Sequence, residues 1–244
     1  FCDAYRPLID GSVTFMTGLF DAFDRSGHSP WVVIPRHPGV RENHPRIISL
    51  PSVPSPAAPR GYRWSVPSPR GVERRLKNAA WDLVHLHSPF RTGWLGLQIA
   101  RRRRLPVLLT YHTLYPAYAK SYGPKWLGPI PRRAVVWWSR KVCNQCDAVI
   151  ATSTPMVEEL RSYGITAPIE VVPGGIQTEI FLHASRDPSL RARYGIPPGE
   201  KILLYAGRVT FEKSLDFLIR VLARVRQTEP AHLLLCGAGP ALPS

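Results

Sequence analysis

The amino-acid sequence predicts an α/β fold built on parallel, doubly wound sheet. Apolar runs of strand length recur along the chain, at residues 31–34, 47–50, 82–87, 106–111, 147–151, 169–172, 202–205 and 231–236, several of them rich in Val, Ile and Leu. Stretches with apolar residues at helical spacing separate most of them, so successive strands are joined by crossovers and run parallel. Loops carrying Gly, His or Pro follow several strand ends, where ligands of open α/β sheets gather.

The elements follow in order. Residues 1–11 read as the tail of a strand entering a glycine loop at Gly11. The next helix carries Val13, Met16, Leu19, Phe20 and Phe23 on one face and ends at Gly27 as a C-cap. Residues 35–70 are rich in Pro, Ser and Arg and read, apart from the run 47–50, as an irregular surface excursion. Arg60, Arg63 and Trp64 in it could touch lipid or substrate, or lie in a loop without a role.

Residues 82–87 form a strand ending at His87-Ser88-Pro89, and the helix after it ends in four arginines, Arg101–Arg104, which cannot share one face. Residues 107–111 are a strand that delivers His112 at its carboxyl end. A histidine there has one donor and one acceptor nitrogen for a hydroxyl, or is satisfied by the backbone. Residues 130–146 combine Arg132, Arg133, Arg140 and Lys141 with Trp137 and Trp138. That suits a membrane interface. Adjacent tryptophans point different ways on a helix, which leaves a core place open for one of them. Pro155 marks the start of a helix capped by Ser153 or Thr154. A domain boundary is expected near Pro173, giving domains 1–173 and 174–244, with residues 181–200 as a linker.

Composition narrows the partners. The chain has 244 residues, 44% hydrophobic, with a net charge of +15. Such charge favours a polyanionic partner. No RNP-like motif, zinc spacing or basic-aromatic repeat singles out nucleic acid, so none is expected. No apolar run approaches a membrane span. Of four cysteines, Cys143 and Cys146 form a C-x-x-C late in a helix, the wrong end for a redox pair, and no second pair completes a zinc site. Metal is not expected, and a reducing cytoplasm fits.

Residues 201–219 organise the second domain. A strand ends at Ala206-Gly207, and Leu215, Leu218, Ile219, Leu222 and Val225 then mark one helix face. Gly207 allows close backbone approach, and Arg208 and Lys213 add cations near a helix N-terminus, an arrangement able to hold a diphosphate. The alternative is a βα loop with two solvated cations.

The segment Gly207 to Lys213, GRVTFEK, resembles the donor-phosphate loop of family 4 glycosyltransferases, retaining enzymes of the GT-B fold. Asp3, Tyr5, Pro7 and Gly11 resemble the family's first loop, and Thr110 to Tyr115, TYHTLY, resembles bacterial diacylglycerol glucosyltransferases and related lipid mannosyltransferases. The HLHSP segment and the GAGP turn fit the same order. The resemblance implies two Rossmann-like domains, the first on the acceptor side and the second binding the donor, incomplete here. It implies that Arg208 and Lys213 hold the diphosphate of a UDP- or GDP-linked sugar, that Gly207, Gly11 and Gly239 lie beside the donor, and that His112 faces the donor sugar. It gives His87, Tyr111 and Tyr115 the acceptor side. At the crossover Gln177 replaces the family's usual acidic residue.

The implied activity is retaining transfer of a sugar to a hydroxyl, on diacylglycerol or another membrane lipid, with no metal required. The implied location is cytoplasmic, with peripheral attachment to an anionic membrane surface, the inner face of the plasma membrane. The sequence starts with Phe and stops soon after Gly239, so a longer parent with the family's E-x7-E motif is expected. The alternative is a truncated, non-catalytic remnant that acts only in binding. A nucleotide-dependent oxidoreductase ranks low, because no G-x-G-x-x-G follows the first strand.

Overall fold

A computed structural model describes residues 1–8, 10–55, 61–66, 68–77, 79–118, 131–176, 178–182, 187–239 and 241–242. The chain divides into two compact units, Phe1–Ile176 and Gln177–Ser244.

In the first unit, α1 (Gly11–Arg25) is followed by β1 (Val32–Pro35) and β2 (Ile47–Leu50), which pair in parallel. The Pro-rich excursion is more ordered than its composition suggests. β3 (Ser52–Pro54) and β4 (Arg63–Ser65) pair antiparallel, and α2 (Pro69–Arg75) follows, with Ser68 at its N-cap. Pro54 ends β3 and Pro69 lies in the first turn of α2, where a missing N–H costs little. Arg60 lies outside the described residues; Arg63 bonds Ser52, and Trp64 lies under Arg91.

β5 (Val84–Leu86), α3 (Arg91–Arg103), β6 (Val107–Tyr111), α4 (Tyr115–Tyr118), α5 (Arg132–Cys143), β7 (Ala148–Ala151), α6 (Thr154–Ser162) and β8 (Ile169–Val171) complete the unit. Their strands form a parallel sheet in the order β5-β6-β7-β8. Phe1 and Cys2 join this sheet to β1. The Cys2 N–H donates to Val33 O at 3.0 Å, Phe1 N donates to His85 O at 2.8 Å, and the His87 N–H donates to Phe1 O at 2.9 Å.

Burial on both faces explains the continuous apolar strands. In β1, Val32 and Ile34 pack with Val13 and Met16 of α1, while Val33 packs with Val72 of α2 and Leu95 and Ile99 of α3. The main core gathers Leu86, Leu109, Tyr111 and Val149 against Leu97, Val142 and Leu160. The two tryptophans of α5 divide: Trp137 is 59% exposed, while the Trp138 indole donates to Pro89 O at 2.9 Å and packs on Trp94. Cys143 and Cys146 are buried in the core, and burial pushes the Cys146 thiol up to about 12.

In the second unit, α7 (Thr178–Leu182) and α8 (Leu190–Arg193) occupy part of the stretch read as a linker. Asp187 starts α8 by accepting the Ser189 N–H at 2.8 Å and its hydroxyl at 2.7 Å, a local pattern that an Asp-Pro-Ser sequence favours. β9 (Lys201–Ala206) and β10 (Ala231–Cys236) are parallel and joined through α9 (Leu215–Val225). Leu204, Phe217 and Ile219 remain more than half exposed, as two strands and one helix of this size cannot cover both faces of their sheet. Gln177 and Pro240 lie outside the described residues.

Candidate functional site

The site in the first unit follows from the pleat. Side chains two apart on a strand share a face. Val84 and Leu86 of β5, and Leu109 and Tyr111 of β6, point into the main core. The opposite face therefore takes His85 and His87 from one strand, and Thr110 and His112 from the next. His85 Nε2 lies 2.7 Å from Thr110 Oγ1, and His87 Nδ1 lies 3.1 Å from His112 Nε2. The His85 and His87 ring centres are 4.2 Å apart. Phe15 of α1 meets His112 edge-on at 5.0 Å. All of this lies at the carboxyl ends of β5 and β6.

Burial holds all three imidazoles neutral at pH 7. It pushes His85 down to about 3 and His112 to about 4, and holds His87 well below the usual range. The Asp10 carboxylate opposes the shift at His112.

The loop that carries His87 is held from two sides. Asp3 accepts the Ser88 hydroxyl and both the N–H and hydroxyl of Thr92. Gly93 packs so closely that a Cβ there would stand 1.8 Å from Ser88 O. Gly11 opens α1 with nothing within 4 Å of where a Cβ would stand, so a ligand could approach its backbone. Asp10 caps this helix by accepting the Val13 N–H at 2.9 Å, and it also accepts the Ser12 and Tyr62 hydroxyls. Burial raises the Asp10 pKa, but these hydrogen bonds prevail and lower it.

Tyr111 points away from the histidine face, and Tyr115 follows on α4. Tyr111 is fully buried with its hydroxyl 2.7 Å from Ser139 of α5, and Tyr115 packs edge-on against Phe90 and Tyr111. Tyr111 belongs to the packing between β6 and α5, while Tyr115, at the start of α4, packs on the main core with Asp3 and Tyr62 nearby. Asp3, Asp10, Phe15 and Tyr62 are the residues that sequence reasoning did not single out as functional. Asp3 stands in the first-loop motif without a role given to it, and Asp10 carried a local signal, an acidic residue just before a helix.

In the second unit, Gly207 ends β9, and its N–H donates to Cys236 O at 2.9 Å. The Tyr205 hydroxyl donates to Arg208 O at 2.7 Å. The Arg208 guanidinium lies 3.8 Å from Glu212, and Lys213 closes a 3-10 turn at Phe211–Lys213. Ser214 follows in the left-handed region at φ 49° and starts α9 without a side-chain cap. Gly239 approaches the backbone of the Arg208 loop: a Cβ there would stand 2.1 Å from Val209 O. Gly237 is pressed equally close, 1.8 Å from Gly207 O. These glycines are required by the contact between the two loops, whatever else they do.

Among the described residues, no group of three or more His, Cys, Asp or Glu side chains is arranged to hold a metal ion. No described helix is long and apolar enough to cross a membrane.

A doubly wound α/β unit with polar groups at its strand ends, followed by the start of a second, is the architecture of a GT-B protein. The profile of Glycosyltransferase Family 4 matches residues 9–180, and the chain belongs to that family. It is 28% identical to the alpha-monoglucosyldiacylglycerol synthase of Acholeplasma laidlawii, over 100% of this chain and 63% of that protein. It is 30% identical to the enzyme of the same name from Streptococcus pneumoniae, over 99% of this chain and 56% of that one. A GDP-mannose-dependent alpha-mannosyltransferase of Mycobacterium tuberculosis is 30% identical over 88% of this chain and 57% of its own length. The chain thus spans about three-fifths of these relatives. A glycosyltransferase of Rickettsia africae shares the fold, with a TM-score of 0.61 at 15% identity, over 96% of this chain and 67% of that one.

Proposed function

We propose that the protein containing this chain is a retaining glycosyltransferase that moves a sugar from a nucleoside diphosphate to a hydroxyl of a membrane lipid, diacylglycerol being the first candidate. The observation that supports it most is the likeness along nearly the whole chain to relatives named for glucosyldiacylglycerol synthesis and mannosyl transfer. In the reaction, the bond between the sugar's C1 and the leaving phosphate oxygen breaks, and a bond from C1 to the acceptor oxygen forms. The acceptor's proton passes to the leaving phosphate.

Arg208 and Lys213 are the groups whose fixed charge would stabilise the developing diphosphate. Gly11 gives backbone access, and His112 takes a hydroxyl of the donor sugar. Cationic side chains can do the phosphate work, so the reading calls for no metal. The basic, tryptophan-bearing α5 would hold the protein at an anionic membrane surface on its cytoplasmic side. The test is a screen of UDP- and GDP-linked sugars against diacylglycerol and other lipid hydroxyls, read by mass spectrometry. A glycolipid with the donor's anomeric configuration is expected. No product from any donor, or inverted configuration, would overturn the reading.

A further inference from the structure

We propose that His87 is a positioning residue for His112: its bare Nδ1 accepts the Nε2–H of His112 and so holds His112 with an unprotonated Nδ1, a hydrogen-bond acceptor for a sugar hydroxyl. The inference rests on the role given to His112 above, but its geometry is independent of it.

The planes of the two rings are within 17° of parallel, with centres 5.4 Å apart. Two imidazoles joined in line by a bond of 3.1 Å would have centres about 5.4 Å apart, the largest separation such a bond permits. The contact is therefore an in-plane, edge-to-edge hydrogen bond between the named nitrogens, rather than face-to-face stacking. One proton serves that bond. Two arrangements exist: His112 Nε2–H donates to His87 Nδ1, or His87 Nδ1–H donates to His112 Nε2. With both rings neutral, the first keeps each ring's proton on Nε2, the nitrogen remote from the main chain that neutral imidazole favours. The second puts both protons on Nδ1.

The pair is also fixed in place. His87 is buried, and its backbone N–H is tied to Phe1 O. His85 packs on the His87 ring and is itself anchored to Thr110 Oγ1. Phe15 closes on His112 edge-on. A ring with one nitrogen engaged and its tautomer set presents a single chemical role at the other nitrogen. Here that role is to accept, which suits a hydroxyl donor and gives nothing to a bare ether or carbonyl oxygen. His87 thus affects which groups His112 recognises without touching the sugar.

The test is the ring 15N spectrum of the chain with labelled histidines. His112 should show a bare Nδ1 and a protonated Nε2, with scalar coupling across the bond to His87 Nδ1. His87→Phe should draw both His112 nitrogens towards the averaged values of exchanging tautomers, the Nε2–H form remaining the major one. His87→Asn, whose amide oxygen can stand where Nδ1 stood, should restore the split. A protonated Nδ1 on His112, or an unchanged split in His87→Phe, overturns the proposal. The coupling in the wild-type chain decides the matter if His87→Phe does not fold. In the whole enzyme, His87→Phe should weaken donor binding about tenfold, the size of one hydrogen bond. Absence of any transfer by the wild type would instead overturn the functional reading and leave the tautomer result standing.

Discussion

Asp3 Oδ1 accepts two hydrogen bonds from Thr92, from its backbone N–H at 2.8 Å and from its hydroxyl at 2.7 Å. The other carboxylate oxygen takes the Ser88 hydroxyl. One side chain near the start of the chain thus fastens the His87 loop to the first turn of α3. Asp3→Ala should destabilise the first unit by about 1–3 kcal/mol, since it strands a buried hydroxyl and a helix-end N–H. Asp3→Asn, which keeps one acceptor oxygen, should lose less. Urea unfolding measures both, and equal stability of Asp3→Ala and wild type would refute the role.

The same loop is held by steric fit. Gly93→Ala would set a methyl 1.8 Å from Ser88 O, a backbone atom that cannot swing aside. Overpacking of this kind costs about 1–3 kcal/mol. The resonances of His87 and His112 should shift in this variant. A melting temperature and His signals equal to wild type would contradict the packing.

The buried histidines set a pH dependence. Unfolded, His112 titrates near 6.5; folded, at about 4. The unfolded chain therefore binds more protons between those values, so stability rises with pH there and falls as the solution is acidified from about 6.5 to 4. His85, at about 3 when folded, extends the loss to lower pH. His112→Gln should flatten the fall of melting temperature between pH 6.5 and 4. An unaltered slope would mean that His112 is charged in the folded state.

Sequence and structure agree where a local signal was enough. The strands that deliver His87 and His112 at their carboxyl ends, and the strand–turn–helix at Gly207, are set by neighbours in the chain. The hairpin of β3 and β4 and helix α2 run against the composition because prolines normally mark irregular segments, whereas Pro54 and Pro69 lie at positions that need no N–H. The two tyrosines of TYHTLY were given to the acceptor side by resemblance. Only the seat of Ser139 on α5 reveals that Tyr111 points into the core. Trp137 and Trp138 are indistinguishable by composition, and only packing against Trp94 separates the half-buried one from the exposed. Tertiary contacts of this sort leave no periodic trace in one sequence.

The exposed side of α5 carries its own prediction. A groove of about 470 Å³ is lined by Arg132, Arg133, Val136, Trp137, Arg140 and Tyr163. Arg132 pairs with Glu159 at 3.0 Å. Arg133 and Arg140 have no ion pair among the described residues. Each cation near an anionic surface contributes about 1 kcal/mol. Arg133→Glu combined with Arg140→Glu should therefore reduce co-sedimentation with phosphatidylglycerol vesicles by more than about tenfold. High salt should weaken wild-type binding in the same way. Equal partition of variant and wild type would remove α5 from the membrane reading.

The measurement that bears most directly on the account is the initial rate of sugar transfer to diacylglycerol by the whole protein, compared with its Arg208→Ala and Lys213→Ala variants. Loss of one preorganised charge at a developing anion costs about 10²–10³ in rate. The account predicts transfer by the wild type and a loss of that size in each variant, with melting temperatures unchanged. Transfer at the wild-type rate in both variants would contradict it.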